Sequence, residues 1–151
     1  MRIRFREPLT AFSERARKAF QLANQEAQRL NHTAVGTEHL LLGLAKDNLT
    51  SGGAALRRLG FNLPWLRRQV ELLHIPGDAG TVSPGALPYT NELEEFIADT
   101  MGATENCAVL PLTPEMLLLA LVNQKVGSVN RIFGRRRVRL WFLRRRLRKL
   151  V

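Results

Sequence analysis

The stretch GTEHLLLGL at residues 36–44 recurs 77 residues later as TPEMLLLAL at residues 113–121, the shift being 115 − 38 = 77 between the two glutamates. The same shift, without a gap, places Phe12-Ser13 on Tyr89-Thr90. Apolar character is kept where identity is lost, as shared core positions require. The chain is therefore predicted to be a tandem repeat.

Each repeat is predicted to contain four helices. Apolar residues recur at helical spacing, and no segment shows the alternation typical of a strand. Residues suited to cap helix N-termini stand at the expected starts. The predicted caps are Ser13, Thr37, Asn62 and Thr113, with Pro114 at the first helical position of its helix. The predicted fold class is all-α, with two tandem four-helix repeats and about eight helices.

The repeats are predicted to form one domain over residues 1–151. Repeat one covers residues 10–75, and repeat two covers residues 89–151 and ends in a basic helix. Between them, residues 76–88 are rich in proline and glycine and are the predicted linker.

Composition is that of an ordinary globular chain of 151 residues with 45% hydrophobic content. Cys107 is the single cysteine, which excludes an internal disulfide, and a cytoplasmic location is predicted. It aligns with Leu30 and is predicted to be a small buried hydrophobe. No apolar run is long enough to span a bilayer.

Charge is concentrated at one end of the chain. The net charge is +10, and residues 131–151 hold nine arginines and one lysine with no acid. A leucine face, Leu140, Leu143, Leu147 and Leu150, is predicted to dock on the body. The remaining basic residues are candidates for binding a polyanion such as nucleic acid. These candidates are Arg135, Arg136, Arg137, Arg139, Arg144, Arg145, Arg146, Arg148 and Lys149.

Two aromatic residues, Trp141 and Phe142, project off the leucine face. They could stack on bases, enter a lipid interface or receive apolar groups of a partner. The bland alternative is that Phe142, which aligns with Trp65, packs between the repeats, and that the arginines form a solvated face. Packing is the expectation for the aromatic residues.

Catalysis and metal binding are not expected. His39 stands beside Glu38 but has no nucleophile or orienting third group with it. His32 and His39 are seven residues apart on different helices and His74 is near the linker, so no metal cluster is predicted. No cofactor is implied, and the chain is predicted not to be an enzyme.

Three segments, FSERARK at 12–18, AQRLNH at 27–32 and GTEHLLLGL at 36–44, closely resemble the double N-terminal domain of the ClpA/ClpC family of AAA+ unfoldases. Residues 87–90 and 113–121 resemble the family's second half more loosely. The resemblance implies an eight-helix domain with pseudo-twofold symmetry that docks substrates and adaptor proteins for an unfoldase and its protease.

The resemblance also implies a ligand site in each half. In Gram-positive ClpC members, the glutamate of the G-T-E-H motif and its counterpart contribute to binding of arginine-phosphorylated proteins, with the Ser or Thr that opens each repeat. By motif match, the binding residues for a peptide or phosphoarginine are Ser13, Glu38, Thr90 and Glu115. Helix N-termini and hydroxyls would hold the phosphoryl group, and a carboxylate would accept the guanidinium.

The alternative is that these residues only cap or favour helix N-termini. In the second half, moreover, Thr113 replaces Gly36 and Met116 replaces His39, so a second site is expected to be altered or lost.

Three functional hypotheses follow. The leading one is a stand-alone docking module whose partners are protein substrates or adaptors and Clp unfoldase or protease components. The second is a nucleic-acid or other polyanion binder that uses the basic helix, and the third is a decoy that sequesters Clp ligands. No G-x-x-x-x-G-K-[ST] loop occurs, so the 151 residues are not predicted to hydrolyse ATP.

Overall fold

The structure is a computed structural model that describes residues 11–74, 85–105, 111–134 and 136–151, except the side chains of residues 104 and 105. In these residues the regular secondary structure consists of helices. The helices are α1 (Glu14–Arg29), α2 (Thr37–Lys46), α3 (Ser51–Arg58), α4 (Leu63–Leu73), α5 (Asn91–Glu105), α6 (Pro114–Val122), α7 (Ser128–Phe133) and α8 (Arg137–Leu150). The all-α prediction with eight helices is confirmed for these ranges. The predictions for Cys107, for Arg135 and for most of the linker fall outside them.

Capping side chains define most of the predicted helix starts. The side chains of Ser13, Asn62 and Thr113 each accept a hydrogen bond from the backbone N–H three residues later. The prediction for Thr37 is wrong by one residue, because Gly36 is the N-cap and Thr37 begins α2. The Thr37 hydroxyl instead donates to Glu92 at 2.8 Å.

Helix α2 is the centre of the molecule. Its residues from Thr37 to Ala45 are all buried, and it contacts α1, α3, α4, α5, α6 and α7. Gly43 lies where α2 crosses α1, and a Cβ atom there would collide with the backbone at Ala19 and at Ala23. A residue without a side chain therefore permits the close packing of these two helices.

The two repeats share one hydrophobic core. Phe61 of repeat one and Phe133 of repeat two pack edge to face with ring centroids 4.8 Å apart. At the end of the chain, Leu140, Leu143 and Leu147 of α8 are buried, and α8 contacts α3 and α6. The predicted leucine face is confirmed for these three residues, whereas Leu150 is 42% exposed.

Two short backbone contacts join the repeats and are related by the 77-residue shift. The Ser13 N–H donates to the Leu112 carbonyl at 2.8 Å, and the Thr90 N–H donates to the Val35 carbonyl at 2.9 Å. In each contact, the segment before the first helix of one repeat bonds to the segment before the second helix of the other. The helix starts of the two repeats are thereby interleaved.

Glu26 is a fully buried carboxylate that links three helices. It accepts hydrogen bonds from the Arg67 guanidinium of α4 at 2.5 and 3.2 Å, and it lies 3.6 Å from the Lys46 ammonium of α2 and 3.4 Å from Arg29. Burial alone would raise the pKa of Glu26, but the bond to Arg67 and the charges of Arg67, Lys46 and Arg29 outweigh burial and lower that pKa. Glu26 is therefore ionised and paired.

Membrane insertion has no candidate segment in the described part of the chain, where no helix is both long and apolar enough to cross a bilayer.

Gly43→Ala is expected to destabilise the protein by about 2 kcal/mol, because overpacking against backbone outweighs the gain in helix propensity. Gly102→Ala in α5 is the matched control, since nothing lies within 4 Å of a Cβ atom there. It is expected to stabilise by about 0.5 kcal/mol. Urea denaturation gives both free energies of unfolding, and stabilisation by both alanines would contradict the close packing of α1 and α2.

Glu26→Gln is expected to cost about 3 kcal/mol near neutral pH, because it leaves the Arg67 guanidinium without its counter-charge. The pKa of Glu26 is lower in the folded state, so its stabilisation is present above the unfolded pKa and is lost as pH falls through the folded value. Urea denaturation of wild type and variant at neutral and acidic pH should give a difference that shrinks in acid. A difference independent of pH would refute the role of the charge.

Candidate functional site

Backbone bonds between the repeats place the predicted site residues near one another in pairs that cross the repeats. Ser13 precedes α1 and is bonded to the segment that leads into α6, which carries Glu115. Thr90 precedes α5 and is bonded to the segment that leads into α2, which carries Glu38. Each expected site was assigned to one half of the chain, whereas each observed pair takes one residue from either half. We name the pairs the Ser13–Glu115 site and the Thr90–Glu38 site.

Three helix N-termini meet at the Ser13–Glu115 site. Ser13 caps α1, Thr113 caps α6, and the Glu115 carboxylate accepts a hydrogen bond of 3.3 Å from the Gly52 N–H in the first turn of α3. Glu115 is only partly buried. The positive ends of α1, α6 and α3 therefore surround a carboxylate that solvent can reach.

The Thr90–Glu38 site repeats this plan with different carboxylate contacts. Here α5, α2 and α7 meet, and Glu92 of α5 accepts hydrogen bonds from the Ser128 N–H at 3.0 Å and the Thr37 hydroxyl at 2.8 Å. Glu92 thus accepts a hydrogen bond from the first turn of α7, as Glu115 does from the first turn of α3. Glu38 is 6% exposed and contacts the His74 Nε2 atom at 3.2 Å instead.

The two sites differ in charge at more than one equivalent position in the first turns of α1 and α5, among them Glu14 against Asn91, since 91 − 77 = 14. Glu92 is matched under the 77-residue shift by Arg15, since 92 − 77 = 15. The Arg15 side chain is 50% exposed, and its guanidinium lies 3.5 Å from Asp47. A half-exposed cation therefore stands in the first turn of α1, where the other site has a carboxylate.

All three histidines of the chain converge beside Glu38, contrary to the expectation from their spacing. His32 Nδ1 lies 2.7 Å from His39 Nε2, and the rings of His32 and His74 stack with centroids 3.7 Å apart. Asn31, with a φ of 58°, turns the chain sharply after α1. Spacing along the sequence does not reveal this turn, and His74 arrives from the far end of α4.

Two rings of the cluster, those of His39 and His32, are neutral near neutral pH because the pKa of each is lowered. Burial, together with the charges of the neighbouring rings, lowers the pKa of His39 to about 3. Burial and the charge of His74 lower the pKa of His32 to about 4. Because His39 Nδ1 accepts a hydrogen bond from the Gly36 N–H at 2.8 Å, its proton lies on Nε2 and points at His32.

Several arginines of the basic helix have structural contacts. Arg144 donates to the Val122 carbonyl at the end of α6 at 2.7 and 3.0 Å, and Arg139 donates to the Leu59 carbonyl at the end of α3 at 3.4 Å. Cations are favourable at helix C-termini. Arg136 lies over the ring of Trp65 at 4.5 Å. These three residues hold α8 on the body.

The aromatic residues of α8 are exposed, so the expectation that Phe142 packs between the repeats is wrong. Trp141 is 52% and Phe142 is 50% exposed, and the two rings contact each other edge to face. The equivalent residue Trp65 is covered by Arg136, so the position of Trp65 does not predict that Phe142 is buried. Arg145 lies 5.5 Å from the Trp141 ring centroid.

Comparisons with known proteins agree with the repeat. The sequence profile of the family described as "Clp repeat (R) N-terminal domain" matches residues 11–136. The protein named "Negative regulator of genetic competence ClpC/MecB" of Bacillus subtilis is 31% identical over 123 residues, which are 82% of this chain and 15% of the relative. A Staphylococcus epidermidis protein named as the ClpC ATP-binding subunit of an ATP-dependent Clp protease is 34% identical over 122 residues, 81% of this chain and 15% of its own length.

Solved structures show the same fold. The N-terminal domain of the chaperone ClpD from Arabidopsis thaliana superposes with a TM-score of 0.75 at 21% identity, covering 94% of this chain and 98% of that chain. The Hsp104 N-terminal domain from Candida albicans superposes with a TM-score of 0.70 at 12% identity, covering 92% and 90%. The chain spans about 15% of the length of the two ClpC relatives, which corresponds to their N-terminal region. By its profile match and its relatives, the chain belongs to the Clp repeat N-terminal domain family.

Proposed function

We propose that the chain is a non-enzymatic docking module for a Clp unfoldase–protease system and that the Ser13–Glu115 site binds arginine-phosphorylated protein segments. The observation that carries the proposal is the meeting of three helix N-termini around a solvent-accessible carboxylate, with a half-exposed arginine in the first turn of α1. Phosphoarginine carries an anionic phosphoryl group on a guanidinium, so its binding needs both signs of charge at one place.

The phosphoryl group would be held by the positive side of the site. Helix N-termini favour anions, and the Arg15 guanidinium can form two parallel hydrogen bonds to phosphoryl oxygens. Arg15 contacts Asp47 through one nitrogen at 3.5 Å, which leaves most of its donors free to reach a ligand. The site therefore supplies a cation without breaking a strong ion pair.

The guanidinium part would be held by Glu115. Its present contact with the Gly52 N–H is long, at 3.3 Å, so a guanidinium that offers two donors can compete for the carboxylate. Plain phosphate would lack this contact, and plain arginine would lack the phosphoryl contacts. The site would therefore bind phosphoarginine more tightly than either phosphate or arginine, because only phosphoarginine makes both sets of contacts.

The Thr90–Glu38 site is less suited to the same ligand. Glu92 already accepts the hydrogen bonds of α7 and of Thr37, and its negative charge would repel a phosphoryl group. Glu38 is buried and is in contact with His74. The geometry thus favours the second-repeat glutamate, despite the departures of that repeat from the family motif.

Glu115→Gln is expected to weaken binding of phosphoarginine at least about tenfold, or about 1.4 kcal/mol, because the charged acceptor of the guanidinium is lost. The matched variant Glu38→Gln, at the equivalent position of the other repeat, should leave affinity unchanged. Isothermal titration calorimetry with phosphoarginine measures both.

Arginine and inorganic phosphate serve as ligand controls and should bind more weakly than phosphoarginine. Arg15→Gln should lower affinity for phosphoarginine in the same direction as Glu115→Gln. Affinity that depends on Glu38 and not on Glu115 would assign binding to the other site, and no saturable binding at millimolar ligand would refute phosphoarginine recognition altogether.

Polyanion binding through α8 is the second candidate function. Within the described residues, Arg146, Arg148 and Lys149 are exposed and no ion pair involves them. Together with the exposed Trp141 and Phe142 they present cations beside aromatic rings, which is the combination that binds single-stranded nucleic acid.

The double variant Arg145→Glu/Arg146→Glu is expected to abolish this binding, because neither residue holds α8 to the body. Binding of a labelled single-stranded oligonucleotide is measured by fluorescence anisotropy at low and moderate salt, and wild-type affinity should fall steeply with salt. Arg17→Glu/Lys18→Glu on α1 is the charge-matched control. Equal loss in both variants would indicate a dependence on net charge and not on the α8 surface.

A further inference from the structure

The histidine cluster brings together every imidazole in the chain. The sequence has three histidines, and they reach one point from three elements: the turn after α1, the first turn of α2 and the C-terminal end of α4. One nitrogen from each of His32, His39 and His74 lies within 4.8 Å of the others. Three imidazoles at one point are the ligand set that Zn²⁺ and related ions prefer.

The three nitrogens lie within 4.8 Å of one another, which is wider than the spacing of a formed metal site for at least part of the set. The nitrogens of a tetrahedral zinc site, bound at about 2.0–2.1 Å, are about 3.3 Å apart. His32 Nδ1 and His39 Nε2 are closer than this, at 2.7 Å, and share a proton in a hydrogen bond. The rings of His32 and His74 now stack with centroids 3.7 Å apart, so one of them must rotate before the planes of both rings can contain a common ion.

Proton balance permits an ion to replace the proton shared by His32 and His39. His39 carries its proton on Nε2, so coordination through Nε2 requires the proton to move to Nδ1. Glu38 Oε1 lies 3.5 Å from that Nδ1 and can accept the proton as a hydrogen bond. This proton transfer breaks the hydrogen bond that the Gly36 N–H now donates to His39 Nδ1. The His39 ring stays neutral with one proton, and this move releases no proton from it.

Glu38 supplies the charge that the ion needs. Its carboxylate contacts two rings of the cluster, at 3.2 Å from His74 Nε2 and 3.5 Å from His39 Nδ1. Carboxylates in this position orient ligating histidines and raise their basicity. The His74 side chain is 34% exposed and His32 is only partly buried, which gives an ion a route from solvent to the cluster.

We infer that His32, His39 and His74 form a binding site for a divalent transition-metal ion, Zn²⁺ foremost, with Glu38 as the carboxylate that contacts the ligating rings. The bound ion connects the α1–α2 turn to the end of α4. The site is separate from the Ser13–Glu115 site and does not depend on docking of protein segments.

Titration of the tag-free, chelator-treated protein with Zn²⁺ by calorimetry tests the site. One equivalent is expected to bind, and the thermal midpoint is expected to rise with Zn²⁺ concentration. His74→Gln should weaken the affinity at least about tenfold, because it removes one ligand and leaves the rings of His32 and His39 in place. Absence of saturable binding with a stoichiometry of one would overturn the inference.

Two controls separate this site from other ligands. Cys107→Ser should bind Zn²⁺ as wild type does, and unchanged affinity in His74→Gln combined with His32→Gln would overturn the assignment. His39 is not varied, because its ring accepts the Gly36 N–H at the start of α2. Should the histidine variants fail to fold, the visible spectrum of Co²⁺ bound to the wild-type protein tests the site instead. Bands of a four-coordinate ion without sulfur charge transfer would support the histidine site. A six-coordinate spectrum or a thiolate band would refute it.

Discussion

Two backbone contacts between the repeats hold the rest of the structure in place. Ser13 with Leu112, and Thr90 with Val35, fix the start of the first helix of each repeat beside the start of the second helix of the other. Because these bonds are made by backbone groups, they set position without demanding particular side chains. The side chains nearby are free to differ between the repeats, and the two sites differ through them.

The two sites show how one backbone plan carries different side-chain contacts in each repeat. Each site needs an acceptor for the first turn of its third helix, because those N–H groups have no partner within the helix. Glu115 supplies the acceptor at α3, and Glu92 supplies it at α7. Glu92 lies on α5, the first helix of its repeat, whereas Glu115 lies on α6, the second helix. Glu38, the equivalent of Glu115, therefore does not bond to the first turn of α7 and contacts His74.

Most of the fold could be predicted from the sequence, because it depends on local rules. The apolar spacing and the caps Ser13, Asn62 and Thr113 report on neighbours along the chain, and the shift of 77 residues indicates that the second half repeats the pattern of the first. The composition of the sites could not be predicted, because equivalence under the shift does not say which copy a residue contacts. Phe142 was misjudged for a related reason: its alignment with Trp65 carried no information about Arg136, which covers Trp65.

The same limit applies to charge and to histidine. Arg144 and Arg139 contribute to the net charge of the last helix, yet they bond to the carbonyl groups that end α6 and α3 and are only partly available to a ligand. Conversely, His32, His39 and His74 are scattered along the sequence and meet only because α4 ends beside the α1–α2 turn. Residue type and spacing therefore identify which chemistry a chain can supply, whereas the packing of elements from both repeats decides where that chemistry is assembled. In this chain the shared plan of the two repeats provides the positions, and single differences such as Arg15 against Glu92 change the charge found at them.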